Sequence, residues 1–135
     1  MAFPDPSVIL SHILVVADMP RTVAWYRDVL GAKLFREYGG TTAVFEVNGA
    51  WLVLVTGGGP TADKPGISMA APAPTGLDRV SHSMTFRVAD CQAAYDELSS
   101  RGAEFLTPPV DHGGEVRAFF RDPDGHLFEI SEARG

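Results

Sequence analysis

Residues 8 to 18 read VILSHILVVAD, an almost unbroken apolar run rich in β-branched residues, which predicts a strand buried on both faces. Asp18 ends the run and suits an N-cap, where its carboxylate accepts from free amides of the next turn. Pro20 fits a first helical turn and Gly31 a left-handed C-terminal position, with Val23, Tyr26 and Leu30 on one inward face between them. KLFREYGG, TTAVFEVNG and AWLVLVTGG follow as three strands, the Gly-Gly and Asn-Gly pairs supplying the positive φ of tight hairpins. The predicted order is therefore β, α, β, β, β.

Residues 57–78 hold nine Gly or Pro in 22 positions and propagate neither helix nor strand, so they read as a linker. Its glycines are not a phosphate loop, because no Gly-Lys-Ser/Thr follows. Beyond it the order returns. RVSHSMTFRVAD predicts a strand and Asp90 a cap, and Cys91, Ala94, Tyr95 and Leu98 form a helical stripe that ends at Gly102. AEFLTPPV, GEVRAFFRD and HLFEISE give three further strands, with Pro108 and Pro109 confining the first to an edge or an early end.

The two halves also share wording. SHILVVAD at residues 11–18 returns as SHSMTFRVAD at 81–90, and the following helices close on GAKLF and GAEFL. This is an internal duplication. It predicts one α+β domain over residues 1–135, built from two βαβββ modules in tandem (about 7–56 and about 79–133) joined by the 57–78 linker. The mixed strands would line a shared concave face with the helices outside, and that face is where a ligand is expected.

A length of 135 residues, 45% hydrophobic, suits one compact domain. The net charge of −6 argues against nucleic acid and against an anionic membrane surface. The first 20 residues lack Lys or Arg before their apolar run and are too short and polar for a signal peptide or a membrane span, so a cytoplasmic protein is expected. Cys91 is the only cysteine, which excludes a disulfide framework. It reads as a small core residue rather than a thiol activated by a helix N-terminus.

VVADMPRTVAWYRDVLGAKLF and FFRDPDGHLFEIS resemble the two signatures of the vicinal oxygen chelate superfamily, which includes glyoxalase I, bleomycin-resistance proteins, fosfomycin-resistance thiol transferases and extradiol dioxygenases. The resemblance spans nearly the whole chain. It implies two tandem βαβββ modules and a pocket for a small oxygen-rich or aromatic molecule. Enzymes of this kind hold a divalent metal (Fe, Mn, Zn or Ni) with a His on the first strand of each module and a Glu on the last strand. The metal acts as a Lewis acid or activates dioxygen. Other members bind drugs without a metal, so the fold alone does not decide the chemistry. The resemblance also implies a homodimer, which would cover the exposed edges of short modules.

Carried onto this sequence, the Glu is Glu129, four residues after the Gly of DPDG. Alternation along HLFEIS places it with Leu127 and Ser131 and opposite Phe128 and Ile130. An ion pair with Arg87 is its structural alternative. The fourth strand, WLVLV, lacks the second Glu that glyoxalase I has there. The family's His positions fall on Ser11 and Ser83, while His12 and His82 stand one residue away. A one-residue shift moves a side chain to the other face. Unbulged strands would therefore present Ser11, Ser83, Thr85 and Arg87 to the pocket beside Glu129. A β-bulge in each would instead bring His12 and His82 to a metal with Glu129.

Two functions follow. One is a metal-dependent lyase, isomerase or dioxygenase using His12, His82 and Glu129; the other is a metal-free protein that sequesters an antibiotic or metabolite. The serine register is the favoured one, with both histidines packed toward the helices. His112 and His126 read as exposed turn residues, and Trp51 and Tyr38 as aromatics able to stack on a flat ligand.

Overall fold

A computed structural model of the chain describes residues 2–134. Its first half runs β1 (Ser11–Val15), α1 (Met19–Asp28), β2 (Lys33–Tyr38), β3 (Thr42–Val47) and β4 (Ala50–Val55). After one 3-10 turn at Pro74–Gly76 come β5 (Ser83–Arg87), α2 (Cys91–Ser100), β6 (Val110–Asp111), β7 (Glu115–Arg121) and β8 (Leu127–Ala133). The strands form two four-stranded sheets, ordered β1-β4-β3-β2 and β5-β8-β7-β6. In each, the first strand is parallel to the last and the remaining pairs are antiparallel. The repeat in the sequence is thus a repeat in topology.

Local chemistry sets the element ends. Asp90 is extended and its side chain accepts from the Ala93 amide at 3.0 Å, which caps α2. The hairpin between β3 and β4 turns at Asn48 and Gly49, with φ of 47° and 86°, the two positive values that a tight turn of this hand requires. On the other sheet, Phe105 pairs with Phe120 in an isolated bridge, and Pro108 and Pro109 then interrupt the ladder. Only Val110–Asp111 resume it, at the sheet edge. Within the linker, Gly58 and Met69 exchange two backbone hydrogen bonds of 2.9 Å each.

The compact units do not follow the repeat. One contains the residues up to Met19 with Ala32–Ala71; the other contains Pro20–Gly31 with the residues from Pro72 onward. Helix α1 therefore packs with the second sheet rather than the one encoded beside it. In the first unit Leu14, Ala43, Phe45, Leu52 and Leu54 are buried on one face of the sheet. In the second, Ala118, Phe120, Phe128 and Ile130 form the buried face, with Phe120 and Phe128 stacked at 5.4 Å. Trp25 and Tyr26 of α1 lie 6.2 and 6.1 Å from the Phe128 ring, and Tyr95 of α2 reaches Phe120 through Phe105. Each such aromatic contributes about 1.5–3 kcal/mol by burial, so this face is closed to ligands and the opposite face carries the polar residues.

Candidate functional site

The open face of the second sheet follows from strand alternation. Ser83, Thr85 and Arg87 on β5 stand directly beside Leu127, Glu129 and Ser131 on β8, and β7 continues the rows with Arg121, Phe119 and Arg117. The Thr85 hydroxyl donates to Glu129 Oε1 at 2.6 Å. Arg87 Nη1 donates to Ser131 Oγ at 3.2 Å, and Ser131 donates to Glu115 Oε2 at 2.8 Å. Arg117 Nη1 meets the other Glu115 oxygen at 2.7 Å. Hydrogen bonds from Ser131 and then from Arg117 hold the Glu115 carboxyl below its ordinary 4.5. Arg87 thus engages Ser131 and, through it, Glu115, while Glu129 is held by Thr85.

The first unit presents a different surface. On its open face Ser11 and Ile13 of β1 lie beside Trp51 and Val53 of β4. The register between β2 and β3 slips between Leu34 and Arg36, and at this irregularity Phe35 turns edge-on to Trp51, with centroids 5.2 Å apart. The Arg36 guanidinium stands 5.4 Å from the Phe35 ring and 5.9 Å from Tyr38. Ile13, Phe35 and Tyr38 are all more than half exposed. This is an aromatic shelf with one cation.

Neither β1 nor β5 is bulged, since each keeps continuous register with its neighbour. His12 accordingly shares a face with buried Leu14 and is itself half-buried. His82 directly precedes β5 and lies outside its ladder with β8. It is exposed rather than packed under a helix, because the strand begins only at Ser83. His12 and Glu129 belong to different compact units, and within the second unit His82 lies outside the β5–β8 ladder that holds Glu129, so β5 itself brings no imidazole beside Glu129. Among the described residues, the group of three candidate ligands whose donor atoms come within 4.8 Å of one another is Asp122, Asp124 and His126.

That group is built as a turn. Asp122 Oδ1 accepts from the Asp124 and His126 amides at 2.9 Å each. Asp122 Oδ2 takes the Tyr26 hydroxyl at 2.7 Å and lies 2.7 Å from His126 Nδ1. Burial, followed by the Asp122 charge, pushes the Tyr26 phenol well above its ordinary 10.0. His126 is consequently no exposed turn residue, its side chain being only 14% exposed. The DPDGH spacing announces the turn, but the Tyr26 partner lies 96 residues away and leaves no local signal. His112 is exposed, with its amide bonded to the Glu115 carbonyl at 2.8 Å. Cys91 is buried, and burial raises its thiol above the ordinary 9.0, so it is a packing residue.

The family model for the glyoxalase/bleomycin resistance protein/dioxygenase superfamily matches residues 9–130. The chain belongs to this superfamily. Metallothiol transferase FosB of Lysinibacillus sphaericus is 30% identical over 126 residues, which cover 90% of this chain and 79% of that protein. The lactoylglutathione lyase of Salmonella typhimurium is 26% identical over 93% of each chain. Among solved structures, a superfamily protein from Nocardioides superposes with a TM-score of 0.72 at 25% identity, covering 98% of this chain and 86% of that one. The superfamily fold is also that of TnmS3, an antibiotic binding protein from Streptomyces sp. CB03234 (TM-score 0.67, 19% identity, 94% and 96% covered). Among the described residues of this superfamily member, no helix is long and apolar enough to cross a membrane.

Proposed function

We propose that the protein binds a small oxygen-rich or aromatic molecule on the open face of its second sheet, without a metal held by His12 and His82. The observation that carries this reading is the unbulged run of β5 beside β8, which gives that face Ser83, Thr85, Arg87 and Glu129 and no imidazole. Arg87 and Arg117 suit an anionic or carbonyl oxygen, Ser83 and Thr85 orient it, and Phe119 supplies apolar contact. The relatives named as enzymes favour catalysis; the donor geometry favours binding. The molecule would be sequestered rather than transformed.

The test is elemental analysis of protein purified without chelator, joined to a thermal-shift screen of oxygen-rich aromatics. Substoichiometric metal is expected, together with a ligand-induced rise in Tm that survives EDTA and disappears in Arg87→Gln. A stoichiometric divalent metal lost in Glu129→Gln would overturn the reading. A cytoplasmic homodimer belongs to the same proposal, supported by the sheet-edge strands β1, β2, β5 and β6 and by exposed Ile9 and Leu10 leading into β1. Sedimentation of a monomer at micromolar concentration would refute the dimer.

A further inference from the structure

A cavity of about 210 Å³ lies where the linker meets the start of β5 and the turn before β8, touching the Glu129 row only at Leu127. Its lining combines Arg79, His82 and His126 with the apolar side chains of Leu77, Met84 and Leu127. It contains no carboxylate, although the protein as a whole carries a charge of −6.

The walls are fastened rather than loose. Arg121 Nη2 donates to the Leu77 carbonyl at 2.8 Å and its Nη1 to the Gly125 carbonyl at 3.0 Å, tying the linker to the turn. Gly125 has φ +94°, and a Cβ there would stand 2.5 Å from Leu77 Cδ2, so glycine lets the linker wall approach the turn. The His126 ring is oriented from behind: its Nδ1 is committed to the buried Asp122 carboxylate, itself braced by Tyr26. Nε2 is then the ring nitrogen left for a ligand, as an acceptor when the ring is neutral and a donor when it is charged. Arg79 has no ion-pair partner among the described residues.

We propose that this cavity is a second ligand site, which takes a small monocarboxylate with an apolar body. The carboxylate accepts from the Arg79 guanidinium, and the body lies against Leu77, Met84 and Leu127 beside the His126 ring. The volume is below the ~300 Å³ at which drug-sized pockets begin, which restricts the occupant to about the size of a single ring. Its polar groups are distinct from those of the open-face reading, since it shares none of Ser83, Thr85, Arg87 or Glu129 and has only Leu127 in common with that face.

Benzoate is the probe, titrated into isotopically labelled protein while the Arg79 Nε and the His82 and His126 imidazole resonances are followed. Saturable shifts of these groups are expected, with a midpoint that any separate binding of benzoate at Arg87 and Arg117 leaves unchanged. Arg79→Gln should weaken binding about tenfold or more, the loss expected for a charge-assisted hydrogen bond. Leu77→Trp, which fills the cavity from the linker side, should abolish binding while Arg87→Gln leaves it intact. Equal binding of uncharged benzyl alcohol would overturn the proposal, as would the absence of saturable shifts or their appearance at Arg87 instead. Should Leu77→Trp fail to fold, Arg79→Gln carries the test alone, because Arg79 is exposed and its loss leaves the fold intact.

Discussion

Thr85 and Glu129 stand directly opposite each other on parallel strands, and the threonine hydroxyl donates to Oε1 at 2.6 Å. One carboxylate oxygen is thereby fixed by a neighbour on the same open face, so Glu129 is aimed by the sheet rather than by a cation. Thr85→Val removes the donor and keeps the shape. Because the pair is solvated, stability should change by less than about 1 kcal/mol, whereas ligand affinity should fall several-fold as Glu129 loses its orientation. Calorimetric titration of a ligand from the thermal-shift screen, run beside a melting curve, separates the two effects. A large drop in Tm with unchanged affinity would make the pair structural.

His82 invites the opposite expectation. A buried imidazole would cost about 1–3 kcal/mol on truncation, but this one is exposed at the strand entry, so His82→Ala should cost less than about 1 kcal/mol. Its metal content, measured by elemental analysis, should equal that of the wild type. Ser83→Ala, one residue on, should instead weaken ligand binding at little cost in stability. If the histidine variant loses metal, the serine register assigned to the ligand face is wrong.

Gly57 is a place where only glycine fits. Its φ is +79°, and a Cβ would lie 2.3 Å from the Met69 carbonyl oxygen, against a backbone that is itself hydrogen-bonded to Gly58. Gly57→Ala should therefore destabilise by more than about 1 kcal/mol. Gly59, two residues on, has open space around its missing side chain and no positive φ. Gly59→Ala should be neutral or slightly stabilising, through the unfolded chain. Melting curves of the two variants compared with the parent decide the point, and equal effects would remove the contact with Met69 from the explanation.

These cases show where the sequence was readable. The repeated Ser-His and Val-Ala-Asp frames, together with the two-residue alternation of strands, carry enough information to place Ser83, Thr85, Arg87 and Glu129 on one face, because side-chain direction in a strand is a local property. The turn glycines and the Pro108-Pro109 interruption are equally local. The partner of Arg87 was not readable: Ser131 and Glu115 are as plausible from spacing as Glu129, and only register decides. The irregularity that turns Phe35 onto Trp51 depends on pairing with β3, and the association of α1 with the second sheet depends on packing between distant segments. Neither leaves a periodic signature along the chain.

The longest-range of these relationships yields the clearest pH prediction. The Tyr26 phenol is buried and donates to the buried Asp122 carboxylate at 2.7 Å, and its deprotonation would place two negative charges against each other. Its folded-state pKa is accordingly raised well above the ordinary 10.0. A group whose pKa is higher in the folded than in the unfolded state contributes stability that is complete below the unfolded value and lost as pH rises toward the folded one. The wild type should therefore lose stability progressively above about pH 10, the unfolded value for tyrosine. Tyr26→Phe should be less stable by about 1–3 kcal/mol near neutrality, since Asp122 loses a buried donor. Above pH 10 the gap to the wild type should narrow, because the variant has no phenol to keep protonated. Urea unfolding at pH 7 and across the alkaline range measures both, and a gap that stays constant with pH would show that the hydroxyl does not titrate against folding.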